Sequence, residues 1–482
     1  MKILKDIIYG VDLDSIKGDT NVSIKSIEFD SRKVLQGSLF VAIKGENVDG
    51  HAFIDKAIKN GASAVIYNDY HFRDEKITII KTPNTRKSLS IVASNFYDNP
   101  SKKIKLVGVT GTNGKTTVAT ILFNLFNQAG LNSGLISTIN IEYAGNVIEN
   151  HHTTPDSKKI NEVLNKMLLN KIEFCFMEVS SHGIDQDRIN GLKFYCGVFT
   201  NITRDHLDYH KSFASYRNVK KKFFDNLKRD SFAIINADDK NSKFMVQNCL
   251  SKVKTFGIKN FADNMAKILE IDFSGMLLKI NSKEFWTPLI GKFNASNLLA
   301  VFSVANIAGI KSIEILRILS QTEGIKGRFE ILKAPNNAFV IIDYAHTPNS
   351  LKNVIDTISQ IRTKNELFTT IIGCGGNRDL GKRSKMGKIV LNGCDKVIFT
   401  SDNPRYEKPE KIINDMLLGV DPNNTKKISK IINRRKAIES GCSQLSSGDI
   451  LLVVGKGHET YQEIQGEKIP FDDMKIVKES FS

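Results

Sequence analysis

A buried strand, a glycine-rich turn and a helix follow one another early in the chain, and this order limits the possible folds more than any other feature. Residues 104–110 (IKLVGVT) have the apolar pattern of a buried strand, and residues 116–130 (TTVATILFNLFNQAG) have that of a helix. A strand that feeds a helix through such a turn is typical of doubly wound nucleotide-binding domains. The sequence therefore predicts an α/β protein built on a mostly parallel sheet.

The turn itself has the composition of a phosphate-binding loop. In residues 109–117 (VTGTNGKTT), backbone N–H groups and the start of the helix could surround phosphates. Lys115 would neutralise the β- and γ-phosphates of ATP, and the Thr116 hydroxyl would bind Mg²⁺. The strict GxxxxGK[ST] pattern has glycine where this chain has Val109, so the loop is a variant. The loop residues expected to bind ATP are Gly111, Thr112, Asn113, Gly114, Lys115, Thr116 and Thr117.

Chain length and two breaks in composition predict three domains. A chain of 482 residues is long for a single core. Polar segments with a proline, at 99–103 and 334–337, separate stretches in which strand and helix patterns alternate. We expect a small N-terminal α/β domain over residues 1–103, a central phosphate-loop domain over 104–332 and a Rossmann-like C-terminal domain over 333–482.

Charge and cysteine content narrow the classes of partner and compartment. The chain has 68 Lys+Arg against 52 Asp+Glu, a formal net charge of +16, which favours anionic partners but also fits a merely solvated surface. Its six cysteines form no CxxC pair, so neither a disulfide framework nor a zinc site is expected. The N-terminal stretch MKILKDIIYG lacks a signal-peptide core, and no apolar run is long enough to span a bilayer, which predicts a cytoplasmic protein.

Acidic and histidine side chains follow two further predicted strands. Glu178 ends the apolar run FCFME, where open α/β sheets present ligand-binding groups. Beside the phosphate loop, this carboxylate is a candidate ligand for Mg²⁺. Asp205, His206 and Asp208 crowd the segment after the strand CGVFTNI and could reach a metal or a phosphate, although a lone histidine is more often structural.

Eight sequence blocks are spread in order over all three predicted domains. They are GTNGKTT (111–117), MEVSSHG (177–183), TNITRDHLDYH (200–210), GRFE (327–330), DYAHTP (343–348), GCGGNRD (373–379), DNPR (402–405) and GKGHE (455–459). In content and order they resemble the Mur ligases of peptidoglycan assembly, and in particular the branch of that family that forms UDP-N-acetylmuramoyl-tripeptide. So many ordered matches make coincidence implausible.

The resemblance implies an ATP-dependent ligase that forms an amide bond and releases ADP. The terminal carboxylate of UDP-N-acetylmuramoyl-L-Ala-D-Glu would attack the γ-phosphate of ATP, and the amine of an amino acid would then displace phosphate from the acyl phosphate. Such an enzyme acts in peptidoglycan synthesis, and through it in cell-wall biogenesis, cell shape and cell division. ATP and Mg²⁺ are the implied cofactors, and we expect a monomer that needs neither nucleic acid nor a membrane.

The resemblance also implies which residues hold metal ions and take part in catalysis. In this family a second metal is held by a carbamylated lysine, and the family spacing places it at Lys220. This residue begins a Lys-Lys-Lys run, which on sequence alone would be a solvated helix face. The implied catalytic residues are Lys115, Glu178, His206 and Lys220, and the implied metal ligands are Thr116, Glu178, His206 and Lys220 as its carbamate.

Further positions are implied for the two nucleotide substrates. Asn294, Arg328 and Asp343 would contact ATP, with Arg328 acting as a phosphate clamp that reaches across a domain boundary. His152 departs from the family, which commonly has asparagine before the paired threonines, although a histidine can still donate a hydrogen bond. The residues implied for UDP-N-acetylmuramoyl-dipeptide are Phe29, Ser31, Glu46, Asn47, Val48, His152, Thr153, Thr154, Ser180, Gln186 and Arg188.

Cations in the C-terminal domain indicate which amino acid is added. Meso-diaminopimelate differs from L-lysine by a distal carboxylate, so its site requires a cation, and Arg405 and Arg378 supply two. The ammonium of a lysine substrate would be repelled there. The block DNPR also resembles the diaminopimelate-adding signature, and Glu459 would accept a hydrogen bond from the distal ammonium. The implied amino-acid-binding residues are Arg378, Asp402, Asn403, Pro404, Arg405, Gly455 and Glu459.

Four alternatives stay open at this point. The nearest is the L-lysine-adding form of the same ligase. A folylpolyglutamate-synthetase-like ligase is less favoured, because MEVSSHG, DNPR and a full N-terminal domain match the tripeptide-forming branch. A basic ATPase that remodels nucleic acid would fit the charge and the phosphate loop, yet the basic residues form no stripe with interleaved aromatics. A degenerate binding module is disfavoured by the intact Lys115, Thr116, Glu178 and Lys220.

Overall fold

A computed structural model describes residues 1–45, 48–72, 76–418, 420 and 426–482. Over these residues the chain forms three α/β domains in sequence order, each with its own main sheet. Helices cover the sheets on both faces, and apolar cores lie between helix and sheet.

The N-terminal domain is built on a five-stranded sheet. Its elements are β1 Lys2–Ile3, α1 Leu4–Ile7, β2 Ser15–Lys17, β3 Ser23–Ile24, β4 Ser26–Glu28, β5 Ser38–Val41, α2 Ile54–Lys59, β6 Ala62–Tyr67, β7 Thr78–Lys81 and α3 Thr85–Phe96. The sheet order is β2-β7-β6-β5-β4, parallel except for β2. Side chains of a strand alternate between its faces, so Leu39 and Val41 of β5 enter one core while Phe40 enters the other.

The central domain contains the phosphate loop and the largest sheet. Its elements are β8 Lys105–Thr110, α4 Lys115–Gln128, β9 Ser133–Ile136, β10 Asn140–Tyr143, β11 Asn146–Glu149, α5 Ser157–Leu169, β12 Phe174–Glu178, α6 Ser181–Asp185, β13 Cys196–Phe199, α7 Leu207–His210, α8 Phe213–Asp225, β14 Phe232–Asn236, α9 Ser242–Met245, β15 Lys252–Gly257, β16 Asn264–Asp272, β17 Gly275–Ile280, β18 Lys283–Thr287, α10 Lys292–Ile307 and α11 Ser312–Leu319. The sheet order is β11-β10-β9-β12-β8-β13-β14-β15-β16-β17-β18.

Topology explains why the phosphate loop opens into a crevice. The strands from β9 to β16 in the sheet order are parallel, and only the edges are antiparallel, which confirms the predicted mostly parallel sheet. β8 lies between β12 and β13. The chain first fills the β12 side of the sheet and then crosses to β13 and runs outward on the other side. Such a reversal leaves a crevice at the carboxyl ends of the strands. The loop after β8 faces this crevice, and β12 ends beside it with Glu178 in register with Val109.

The C-terminal domain is a Rossmann-like six-stranded sheet, as predicted. Its elements are β19 Glu330–Lys333, β20 Phe339–Asp343, α12 Pro348–Ile361, β21 Phe368–Ile372, α13 Arg383–Gly393, β22 Lys396–Phe399, α14 Pro409–Leu417, β23 Ile428–Lys430, α15 Arg434–Ser443, β24 Ile450–Val454, β25 Tyr461–Ile464, β26 Glu467–Pro470 and α16 Asp473–Ser480. The order is β19-β20-β24-β21-β22-β23, parallel except for β19. β25 and β26 form a separate hairpin.

The predicted boundary between the central and C-terminal domains falls inside a strand. β19 pairs with β20 and so belongs to the C-terminal sheet, whereas the predicted boundary at 332/333 cuts through it. The polar residues 334–337 form the turn of this hairpin, where Ala334 N donates to Ala338 O at 2.8 Å. We therefore propose that the C-terminal domain begins ahead of Glu330. The first boundary, at 103/104, lies just after a short 3-10 segment, Pro100–Lys102.

All six cysteines are free thiols, and only Cys249 is not fully buried. Within the described parts of the chain, no helix combines the length and the apolar composition that crossing a bilayer requires.

Candidate active site

The backbone of the phosphate loop requires glycine at two positions. Gly114, with φ +85°, precedes the first turn of α4, and a Cβ there would lie 2.5 Å from Asn297 Oδ1. A Cβ on Gly111 would lie 1.9 Å from Thr200 Oγ1. The loop is therefore packed too closely against β13 and α10 to accept side chains at these positions.

Lys115 is folded back over this loop. Its Nζ donates to Gly111 O at 2.9 Å and to Thr112 O at 2.8 Å. Burial lowers the pKa of Lys115, while the charges of Glu178 and Asp205 act in the opposite direction. A partly buried cation at the start of a helix is suited to an anionic ligand such as a phosphate group.

Glu178 and Thr116 place two oxygen donors beside the loop. Glu178 is fully buried, and its Oε2 accepts from Thr116 Oγ1 at 3.0 Å while its Oε1 accepts from Thr138 N at 2.7 Å. Within the described residues, no cation lies at ion-pair distance from this carboxylate. A buried carboxylate beside a hydroxyl is a donor set that suits a hard cation such as Mg²⁺.

Lys220 is the one member of the Lys-Lys-Lys run that reaches the phosphate loop. Its Nζ donates to Gly111 O at 3.0 Å and to Thr110 Oγ1 at 3.3 Å, and only 1% of the residue is exposed. Lys221 pairs with Asp225 at 2.6 Å, and Lys222 is exposed. Burial, followed by the charge of Lys115, holds the pKa of Lys220 well below its ordinary value.

His206 lies beside Asp205 in a cluster of aromatic side chains. Its Nε2 is 3.4 Å from Asp205 Oδ2, and its ring centroid is 5.0 Å from that of His182. Burial lowers the pKa of His206 to about 3, partly opposed by Asp205. The imidazole is therefore neutral at pH 7 and has a lone pair available for a ligand.

These side chains fit a divalent cation only as a mixed donor set. Among the residues that the structure describes, no three His, Cys, Asp or Glu side chains group as a metal site. The available donors are instead the Thr116 hydroxyl, the Glu178 carboxylate and the neutral His206 imidazole. Lys220 would join them only as an anionic carbamate.

Arg328, just ahead of the first strand of the C-terminal sheet, reaches the phosphate loop. Its Nη2 donates to Thr116 Oγ1 at 3.3 Å, and its guanidinium lies 4.3 Å from the ring centroid of Tyr344. Asp343 accepts from Phe329 N and Ala345 N, both at 2.7 Å. Burial raises the pKa of Asp343 to about 6, opposed by the charge of Arg328 and by these two hydrogen bonds.

Two cavities meet at the phosphate loop. The first, of about 640 Å³, lies between the central and C-terminal domains. Twelve predicted residues line it, and these are Thr112, Asn113, Gly114, Lys115, Thr116, Thr117, Thr153, Glu178, His206, Asn294, Arg328 and Asp343. It shares a wall with the second cavity, and the shared residues are Lys115, Thr138, Thr153, Asp205, His206, Tyr344 and His346.

The second cavity, of about 970 Å³, brings together the predicted substrate residues of two domains. The predicted residues that line it, besides Lys115 and His206, are His152, Thr153, Thr154, Ser180, Gln186, Arg188, Lys220, Arg378, Asp402, Asn403, Arg405, Gly455 and Glu459. Of the other described candidates, Gly111, Phe29, Ser31, Val48 and Pro404 line neither cavity. Glu46 and Asn47 lie outside the described residues. The roles assigned to the N-terminal residues stay predictions.

A hydrogen-bond chain fixes the wall on the central-domain side of this cavity. Thr154 Oγ1 donates to Glu178 O at 2.8 Å and accepts from Ser180 N at 2.9 Å. Arg188 donates from Nη1 to Thr154 O at 2.6 Å and from Nη2 to Gln186 Oε1 at 2.7 Å. The predicted dipeptide-binding side chains are thus tied to the end of β12.

The predicted amino-acid-binding residues are held by charge pairs that are at least partly buried. Asn403 Nδ2 donates to Glu459 Oε2 at 2.8 Å. Lys456 is fully buried, and its Nζ donates at 3.0 Å to both Asn403 Oδ1 and Glu459 Oε2. Arg405 Nε donates to Glu463 Oε2 at 2.9 Å. The residues of DNPR and GKGHE therefore meet as one polar group at the carboxyl ends of β22 and β24.

Several side chains at the site were missed from the sequence. Lys456 lies inside the block GKGHE, and Tyr344 and His346 lie inside DYAHTP. The blocks could therefore have indicated these three residues. Burial lowers the pKa of His346 to about 4, with the Lys382 charge acting in the same direction. Lys292, at the start of α10, and Glu463 had no signal in the sequence, because only the folded chain brings them to the site.

Comparison with known proteins covers the same three domains. Residues 23–97 match the model "Mur ligase family, catalytic domain", residues 109–305 match "Mur ligase middle domain", and residues 327–457 match "Mur ligase, glutamate ligase domain".

Relatives match over nearly the full length. The UDP-N-acetylmuramoyl-L-alanyl-D-glutamate–2,6-diaminopimelate ligase of Cytophaga hutchinsonii is 47% identical over 478 residues, which cover 99% of this chain and 98% of the relative. The protein of the same name from Phocaeicola vulgatus is 45% identical over 480 residues, 99% of each chain. A solved structure of a protein of that name superposes with a TM-score of 0.70 at 30% identity, over 100% of this chain and 99% of the other. This chain therefore belongs to the Mur ligase family, as its sequence blocks indicated.

Proposed function

We propose that this protein is the ATP-dependent, ADP-forming ligase that adds meso-2,6-diaminopimelate to UDP-N-acetylmuramoyl-L-Ala-D-Glu in peptidoglycan precursor synthesis. The observation that carries the proposal is the shared wall of the two cavities. The phosphate loop opens into one cavity, and the Arg405 and Glu459 group opens into the other. The proposal agrees with the activity named for relatives 47% and 45% identical over nearly the whole chain.

The arrangement suits carboxylate activation followed by amide formation. The D-Glu carboxylate attacks the γ-phosphorus of ATP, the bond to ADP breaks, and an acyl phosphate forms. The amine of the amino acid then attacks the acyl carbon, and inorganic phosphate leaves. Lys115 and Arg328 offset the negative charge on the transferred phosphoryl group, in a site where burial strengthens such contacts.

We also propose that Thr116, Glu178, His206 and a carbamylated Lys220 hold Mg²⁺, which supplies further positive charge beside the phosphates when bound. The buried Lys220 amine supports this proposal, because its lowered pKa favours the neutral form that reacts with CO₂. Formation of the carbamate on Lys220 is tested by ¹³C NMR with ¹³C-labelled bicarbonate. We expect a carbamate carbonyl signal in the wild type and in Lys222→Met but not in Lys220→Met. Equal signals in all three proteins would contradict the assignment.

The remaining assignments follow from the same reaction. We propose that the N-terminal domain holds the uridine nucleotide through the segments that contain Phe29, Ser31 and residues 46–48. We further propose that a single chain acts without nucleic acid or membrane, in the cytoplasm, where ATP and UDP-linked sugars occur together. All the proposed catalytic residues come from one chain, which supports a functional monomer.

The proposed function is tested by phosphate release from purified protein with ATP, Mg²⁺ and UDP-N-acetylmuramoyl-L-Ala-D-Glu. Parallel reactions contain meso-diaminopimelate or L-lysine, and mass spectrometry identifies the product. We expect the tripeptide with diaminopimelate and little turnover with lysine, because the lysine ammonium would face Arg405 and Arg378. Efficient turnover with lysine would keep the ligase and overturn the choice of amino acid. Turnover with neither would overturn both.

A further inference from the structure

The hairpin of β25 and β26 is attached to the loop that contains Arg405. Arg405 N donates to Glu463 O at 3.1 Å, and Gln465 N donates to Arg405 O at 2.9 Å. Glu463 N also donates to Asn403 Oδ1 at 2.9 Å. The hairpin therefore borders the amino-acid end of the second cavity, which its residues Tyr461 and Lys468 line.

The Glu463 side chain holds the Arg405 guanidinium from one side. Glu463 Oε2 accepts from Arg405 Nε at 2.9 Å, while Gly376 O accepts from Arg405 Nη1 at 2.9 Å. A guanidinium has five N–H donors in a rigid plane, so three remain for a ligand. The Arg405 side chain is 19% exposed and that of Glu463 is 26% exposed, so water screens the pair less than it screens a surface pair.

The backbone of Arg405 needs outside support. Its φ of +50° lies in the left-handed region, which side chains other than Gly, Asn and Asp seldom adopt. Such a conformation persists where surrounding contacts fix it, and the two main-chain hydrogen bonds to the hairpin do so here. The hairpin thus sets both the backbone and the side-chain direction of Arg405.

We propose that Glu463 is a positioning residue for amino-acid selection, which directs the free donors of Arg405 toward the distal carboxylate of the incoming amino acid. This inference rests on the proposed function and goes beyond it, because it assigns part of the specificity to a hairpin outside the blocks DNPR and GKGHE. An arginine held in one geometry loses less side-chain freedom when it binds a carboxylate. It also keeps its positive charge at the place where a lysine ammonium would lie.

The test compares Glu463→Ala, Glu463→Gln and the control Glu467→Ala, which removes an exposed carboxylate from the other strand of the same hairpin. Initial rates are measured while each of the three substrates is varied in turn. For Glu463→Ala we expect the KM for diaminopimelate to rise about tenfold, since one charge-assisted hydrogen bond is lost. The KM values for ATP and for the UDP-linked substrate should stay unchanged, and the preference for diaminopimelate over lysine should fall.

Glu463→Gln keeps an oxygen that accepts from Arg405 Nε, so its KM for diaminopimelate should lie between those of the wild type and Glu463→Ala. Glu467→Ala should match the wild type. The inference is overturned if Glu463→Ala leaves the KM for diaminopimelate unchanged, if all three KM values rise together, or if Glu467→Ala has the same effect. Should Glu463→Ala not fold, Glu463→Gln decides by the same three values.

The wild-type reaction separates this inference from the proposed function. If the wild type uses an amino acid other than diaminopimelate, the proposed function fails, and the KM of Glu463→Ala for that amino acid still decides whether the hairpin positions Arg405. If the wild type uses diaminopimelate and Glu463→Ala behaves like it, only the inference about Glu463 fails.

Discussion

The phosphate end of the site, around Lys115, and the predicted amino-acid end, around Arg405 and Lys456, differ in how their positive charges are paired. At the phosphate end, Lys115 donates to the backbone carbonyls of Gly111 and Thr112, and within the described residues it has no carboxylate at ion-pair distance. At the amino-acid end, Lys456 pairs with Glu459 at 3.0 Å and Arg405 pairs with Glu463 at 2.9 Å.

The difference matches the net charge of the ligand that each end would bind. ATP and an acyl phosphate bring several negative charges, so a cation that lacks a protein carboxylate, such as Lys115, gains most of its stabilisation from the ligand. Diaminopimelate carries two carboxylates and two ammonium groups, so a site with balanced charges can contact it without a large excess of either sign. In the ligand-free protein, the phosphate end is therefore expected to lower the free energy of unfolding, and the amino-acid end to raise it.

The largest expected effect is that of Lys115→Met on catalysis. Without this cation the negative charge on the transferred phosphoryl group is no longer offset, and we expect kcat to fall by at least about 1000-fold. ADP release in a coupled assay measures it. The exposed Lys222→Met is the matched control and should keep the wild-type rate. A loss smaller than about tenfold would contradict the role of Lys115 in charge stabilisation.

Lys220→Met should lower activity and raise stability. We expect kcat to fall about 100-fold or more, because the proposed metal ligand is gone. Since burial lowers the pKa of Lys220, the folded protein binds fewer protons than the unfolded chain, and its stability is reduced at pH 7. Removing the amine should increase the free energy of unfolding by about 1 kcal/mol or more. Lys222→Met should change neither quantity.

The pH dependence of unfolding tests whether Lys220 lowers the stability of the folded protein. The stability lost through a lowered lysine pKa is recovered as pH rises toward the ordinary value of 10.5. The stability gain of Lys220→Met over the wild type should therefore shrink between pH 7 and pH 10. Urea unfolding in buffer free of CO₂ and divalent ions measures it. A gain that grows with pH would show that Lys220 is not a buried, neutral amine.

Lys456→Met should have the opposite effect on stability. It leaves Glu459 partly buried without its cation, and we expect the free energy of unfolding to fall by about 3 kcal/mol. The KM for diaminopimelate should also rise, because Asn403 and Glu459 lose a shared donor. Lys475→Met, at an exposed lysine, is the control. If Lys456→Met were as stable as the wild type, the contrast between paired and unpaired cations would not hold.

The phosphate end could be predicted from sequence because its parts are contiguous or lie at strand ends. Gly111 to Thr117 form one block between a strand and a helix, and Glu178 ends a neighbouring strand. A parallel sheet brings such ends together whatever the intervening sequence. Asn294, Arg328, Asp343 and Lys220 needed the family resemblance. For Lys220 the reason is that the burial of one lysine in a run of three depends on how α8 packs.

The amino-acid end was less predictable because its partners are distant in sequence. Glu463 contacts Arg405 across 58 positions, and β25 and β26 are short, partly exposed strands without a clear alternation of apolar residues. The same limit explains why the predicted domain boundary at 332/333 falls inside β19. The proline-containing segment 334–337 has the composition of a linker, although it forms the turn between β19 and β20.

The smallest expected effect concerns Asp343, a buried carboxylate near the wall that the two cavities share. Burial raises its pKa from 3.8 to about 6, so the folded protein retains a proton that the unfolded chain has already released. Stability therefore falls as pH rises through this window and stays lower above about pH 6.

Asp343→Asn removes the titration but also replaces one oxygen that accepts from Phe329 N or Ala345 N, a cost that does not depend on pH. The stability of Asp343→Asn relative to the wild type should thus increase between pH 4 and pH 7, by at most about 3 kcal/mol. Urea unfolding at both pH values measures the change, and a difference that is constant with pH would mean that Arg328 fully compensates the Asp343 charge, as carboxylates compensate the cations at the amino-acid end.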